Sequence, residues 1–183
     1  MMSEKLYYLN NMTFSNSTIS HMTFDEVFIN ILNFIEAEPT AKYKLAIGTD
    51  SQVKSSTHFI SAIHLHRVGL DGIGKGAWGC IKEYIIPRRV NSLREKISIE
   101  TSLTQELLFL FDYNRVSQIL DILIPYVDKG ANFSLEAHID IGRKGATREL
   151  INEMVGRFSG MDVETKIKPD SYAASSYADR YTK

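Results

Sequence analysis

The sequence predicts an α/β fold, a mixed five-stranded sheet with helices packed against it. Three observations carry that expectation. Apolar runs of strand length alternate with stretches of helical period along the chain. Two consecutive strand runs are joined by glycines, as in a hairpin, and the later strand runs are separated by helices that can serve as crossovers.

The elements follow in order. Residues 1–21, rich in Asn, Ser and Thr after Leu6-Tyr7-Tyr8-Leu9, show no period and read as an irregular arm. Thr23-Phe24-Asp25-Glu26 has the form of a capping box, with Thr23 at the N-cap and Glu26 three residues on. Val27, Ile31, Phe34 and Ile35 continue at helical spacing until Pro39 stops the helix. Leu45 to Asp50 is a short apolar run ending in polar residues, as expected of a buried central strand. Residues 58–68 and 76–86 are the next strands, with Gly69, Gly72, Gly74 and Gly76 between them. Those glycines resemble a phosphate-cradling loop, but such a loop opens a helix, whereas these open a strand that Pro87 ends. Helices are expected over 92–111 and over 116–127, the second carrying Pro125 and finishing at Lys129-Gly130. A strand at 133–141, a helix at 147–158, a strand at 163–167 and an Ala- and Ser-rich helix at 171–181 complete a single domain of 183 residues.

Hydrophobic residues at 44% and charged residues at 23% are values of an ordinary globular chain and argue against disorder. A net charge of −1 excludes a generally basic nucleic-acid binder but leaves room for a local basic groove. Cys80 is the sole cysteine, so an internal disulfide is impossible, and its apolar run Ala77 to Ile81 makes it a buried structural thiol. No signal-like or membrane-spanning run is present, which sets the expectation of a soluble cytoplasmic protein with no membrane partner.

Four acids stand where such a fold would gather its strand ends: Asp50, Glu100, Asp140 and Asp170. Crowded carboxylates repel and raise one another's pKa, so a group of them points to a divalent cation and to phosphoryl chemistry. Asp50 ends the central strand run; the alternative is a turn, since Asp-Ser is good turn chemistry. Glu100 falls on the stripe of Leu93, Ile97, Leu107 and Phe111, the inward face of its helix, whereas Glu95 falls on the opposite side. A buried acid needs a compensating cation, either a metal or an Arg or Lys partner. Asp140 ends a strand whose polar face also carries Glu136 and His138; the alternative is a helix N-cap. Asp170 precedes the last helix, where an N-cap serves equally well. His64 and His66 share a strand face without a third zinc ligand at the usual spacing. Gly142-Arg143-Lys144-Gly145 leads into a helix with Arg148 in its first turn, so Arg143, Lys144 and Arg148 are candidate phosphate contacts, as is Lys168.

The order of elements and the places of these acids resemble the ribonuclease H-like superfamily. Gly48-Thr49-Asp50-Ser51-Gln52, His138 to Gly142, Lys166 to Ser171 and the ending Ala174 to Tyr181 are similar to the YkuK-type bacterial proteins of that superfamily. The chain adds an N-terminal helix and the helix at 116–127. The resemblance implies a sheet of three antiparallel hairpin strands and two parallel strands. It also implies a nuclease acting on RNA, DNA or a hybrid through two Mg²⁺ or Mn²⁺ ions, held by Asp50, Glu100, Asp140 and Asp170. A binding module that keeps the fold without turnover, or a phosphoesterase of small molecules, is the alternative. No oligomeric state is implied.

Overall fold

The computed structural model describes residues 13–145 and 147–182. The predicted arm therefore lies outside the described residues as far as residue 12. From there the chain is strapped down, with Phe14 paired to Met22 and Ser15 to Ile81. The Thr23/Glu26 capping box is formed in full and opens α1 (Phe24–Glu36), which buries Val27, Phe28, Ile31 and Ile35.

Five strands form one sheet in the order β3-β2-β1-β4-β5: β1 (Lys42–Val53), β2 (Thr57–Val68), β3 (Gly74–Ile86), β4 (Asn132–His138) and β5 (Glu164–Lys166). The first three pair antiparallel, and β4 and β5 join parallel. Gly69 to Ile73 make the predicted hairpin turn, where Gly72 takes a φ of +78° that suits glycine. β1 is longer than expected. It stays paired with β2 through Asp50↔Ile60 as far as Val53, so Asp50 is a strand residue and the turn falls at Lys54 to Ser56.

Both faces of β1 are covered. Tyr43, Leu45 and Ile47 enter the main core with α1, α2 (Leu93–Phe109) and α3 (Tyr113–Leu123). Thr49 on that same face bonds Thr104 of α2 at 2.9 Å. The opposite face, carrying Gly48, meets the C-terminal segment at Ala174. Cys80 is buried, and burial pushes its thiol well above the usual range. No helix among the described residues is long and apolar enough to cross a membrane.

Three predicted helices differ from what the chain forms. The helix at 116–127 is α3 capped by Asp112, then gives way at Pro125 to a tighter 3₁₀ stretch (Ile124–Lys129). The helix at 147–158 is reduced to one 3₁₀ turn (Arg148–Leu150) and α4 (Ile151–Gly156), so the loop at 142–145 does not lead straight into a helix N-terminus. The last helix begins as a π-helical turn (Ala173–Ala178) before α5 (Asp179–Thr182).

Candidate active site

The parallel pairing of β1 and β4 ends at the rung Gly48↔His138. Asp50 and Asp140 each lie two residues beyond that rung, one on either side of the open strand end. Beyond β4 the chain remains tied to β5, with Ile139 N–H donating to Lys166 O and Lys168 N–H to Ile141 O, both at 2.9 Å. This fixes the backbone around Asp140 without a helix cap.

Glu100 reaches the same end of the sheet from α2. Its Oε1 accepts the Ser51 hydroxyl at 2.5 Å, so the residue next to Asp50 holds it. The Glu100 carboxyl is pushed up to about 8, chiefly by burial. Ser51 and Lys96 pull it down, while Asp50 and Asp140 push it further up. Asp50 is raised as well, first by burial and then, against the Ser51 backbone amide, by Asp140 and Asp179. Glu95, as its place on the helix predicted, is on the outside and pairs with Arg88 at 2.7 Å.

Asp179 is the acid that sequence reasoning missed. It opens α5 directly after Ala178, and the buried small residues Ala174 and Ala178 mark the side of this segment that faces the sheet. That Ala-x-x-x-Ala spacing was the available signal. Asp170 is exposed and lines a neighbouring cavity with Arg143, Lys144, Lys166 and Lys168, where its charge acts on Lys166.

Three cavities of about 270, 540 and 410 Å³ adjoin here. The smallest contains Glu100 and Asp140 and shares Gly142, Lys144 and Lys168 with the largest, which shares Arg143 and Ile167 with the third. Their lining sets Lys96, Arg143, Lys144, Arg148, Lys166 and Lys168 against Glu100, Asp140 and Asp170. A chain of net charge −1 thus carries a cationic cleft that opens onto an acidic corner.

The donor chemistry suits a hard cation. Asp50, Glu100, Asp140 and Asp179 offer oxygen alone, as Mg²⁺ and Mn²⁺ prefer. Asp140 Oδ1 is buried and accepts no hydrogen bond; the Lys168 ammonium lies 3.0 Å away but outside hydrogen-bond geometry. Among the described residues, no three His, Cys, Asp or Glu side chains already stand close enough to hold an ion.

His138 supports the site from beneath. Its Nδ1 accepts the Ala173 N–H at 3.1 Å, so the ring proton is on Nε2 and is donated to Glu136 at 2.8 Å. This buried pair ties β4 to the C-terminal segment that carries Asp179. His64 and His66 face the same segment, and burial holds His64 down at about 4, so it is uncharged.

The ribonuclease H-like family model matches residues 26–183, nearly the whole of the described fold. The chain belongs to the ribonuclease H-like family. It is also 47% identical over 171 residues to the "Uncharacterized protein YkuK" of Bacillus subtilis (strain 168), covering 93% of this chain and 96% of that protein. No solved structure matches it. The family accounts for the mixed sheet of three antiparallel and two parallel strands.

Proposed function

We propose that this ribonuclease H-like protein is a divalent-metal-dependent nuclease that hydrolyses phosphodiester bonds of RNA or DNA. One observation carries the reading: acids from separate elements gather at one end of the sheet, where Ser51 beside Asp50 holds Glu100 and where Glu100 and Asp140 line one cavity, next to a cleft of lysine and arginine. A binding module gains nothing from negative charge aimed at phosphate, whereas a metal centre requires it.

Asp50, Glu100 and Asp140 would hold Mg²⁺ or Mn²⁺, with Asp179 better placed than Asp170 to be the fourth acid. The bound ions would supply an activated water and charge stabilisation of the leaving oxygen. Ser51 orients the Glu100 carboxyl by donating to Oε1. Lys96, one helical turn before Glu100, offsets part of the upward push that burial gives both Glu100 and Asp50. Arg143, Lys144, Arg148 and Lys168 bind the phosphate backbone along the cleft.

The test is a panel of RNA, DNA and hybrid substrates in Mg²⁺ and Mn²⁺, run beside Asp50→Asn. Metal-dependent cleavage that Asp50→Asn loses is the expected result. Cleavage of small phosphoesters alone would replace the nuclease with a phosphoesterase. Polynucleotide binding with no cleavage of anything would leave a binding module.

A further inference from the structure

We infer that Lys168 is an exchangeable counter-ion: it neutralises Asp140 in the metal-free protein and is released to the substrate phosphate when a divalent cation takes its place. The inference rests on the metal reading above and concerns what this side chain does before and after the ion binds.

Three observations support it. The Lys168 ammonium lies 3.0 Å from Asp140 Oδ1, an oxygen that accepts no hydrogen bond and so remains open to a better partner. The lysine end of the pair is half in water, its side chain 48% exposed against 20% for Asp140, so the ammonium can leave for solvent or phosphate when a divalent ion takes its place. Lys168 also lines both the acidic cavity and the larger cationic one, so a swing of its stem carries the ammonium from carboxylate to phosphate.

The backbone suits such a swing because it need not move. Lys168 N–H is held by Ile141 O, and Asp170 N–H by Ile167 O, each at 2.9 Å. Only the four-carbon stem has to change rotamer. Lys96 and Lys144 line the acidic cavity as well, and Lys168 is the cation whose ammonium stands 3.0 Å from Asp140 Oδ1.

The consequence is coupling between metal and polynucleotide. Without the ion, Lys168 is occupied; with it, the cleft gains one cation. Bound polynucleotide, by drawing Lys168 away, in turn favours metal entry at Asp140, since coupling between two ligands is reciprocal.

The experiment titrates Mn²⁺ into wild type, Lys168→Met and Lys168→Arg by calorimetry, with melting in EDTA to show that each is folded. Removing the competing ammonium should tighten Mn²⁺ binding about 5-fold in Lys168→Met, the scale set by one partly exposed ion pair, and leave Lys168→Arg near wild type. The same three proteins are then titrated with a nuclease-resistant phosphorothioate oligonucleotide, with and without Mn²⁺. Wild type should bind it more tightly with Mn²⁺, and Lys168→Met should lose most of that gain. If wild type binds Mn²⁺ and Lys168→Met binds it equally or more weakly, the counter-ion role is overturned while the metal reading survives. If wild type binds no Mn²⁺, both fall together.

Discussion

Ser51 on the central strand and Glu100 on α2 are joined by a hydrogen bond of 2.5 Å, which links the backbone beside Asp50 to an acid from another layer of the fold. The bond holds a carboxyl that burial would otherwise drive out. It lowers the proton affinity of Glu100, yet the group still titrates at about 8 because burial is the larger effect.

A pH dependence of stability follows. The ordinary value for the group is 4.5 and the folded value about 8, so between them the native state holds a proton that the unfolded chain has released. The contribution is fully present below pH 4.5 and is lost as the pH rises toward 8, by at most about 1.4 kcal/mol per pH unit. Glu100→Gln should flatten that slope, measured by urea unfolding across this range in EDTA. A slope equal to that of wild type would show that Glu100 ionises freely in the native state.

Divalent cations should reverse the trend. They bind the assembled acids and have little affinity for the unfolded chain, so at ~100 times the dissociation constant the gain is about 2.7 kcal/mol. Mn²⁺ should act at lower concentration than Mg²⁺. Thermal melting of wild type beside an Asp50→Asn, Asp140→Asn double variant measures this. Equal shifts in both proteins would place the binding elsewhere.

Asp170 and Asp179 should separate cleanly. Asp179→Asn removes a charge that acts on Asp50 and should weaken Mn²⁺ binding and turnover by about 10-fold, roughly 1.4 kcal/mol. Asp170→Asn removes an anion from among Arg143, Lys144, Lys166 and Lys168 and should leave Mn²⁺ binding alone while tightening polynucleotide binding at low salt. Calorimetry and filter binding on the two variants decide it. The reverse pattern would return the fourth position to Asp170.

Much of this architecture is readable in the chain because local signals agree with the final contacts. The Thr23 capping box, the hairpin glycines and the apolar run at Leu45 each specify their own element. Glu100 could be placed inward because a helical stripe fixes direction without knowledge of a partner. What was hidden depends on partners. β1 runs past Asp50 because β2 offers rungs to Val53, which no pattern within β1 reveals. The helix expected from 147 begins only at Ile151, after a loop in which Gly145 takes a φ of +87°. Asp179 was hidden by the π-helical turn before it, since a pitch wider than 3.6 residues changes which side chains share a face.

The seating of the C-terminal segment gives the last prediction. A Cβ on Gly48 would lie 2.7 Å from Ala174 N, 2.9 Å from Ala174 Cβ and 2.9 Å from His138 O. Two of these are backbone atoms, one of them on the neighbouring strand, so neither side can yield by a change of rotamer. Gly48→Ala should therefore cost ~1–3 kcal/mol, the range for overpacking a filled interior. The damage should also reach the acids, because pushing Ala174 away shifts the segment that carries Asp179 and strips the Ala173 N–H from His138 Nδ1. Urea unfolding reads the first effect, and Mn²⁺ calorimetry under native conditions reads the second. A variant as stable as wild type would mean that the segment does not rest on β1. A variant that loses stability but keeps its Mn²⁺ affinity would mean that Asp179 takes no part in the site.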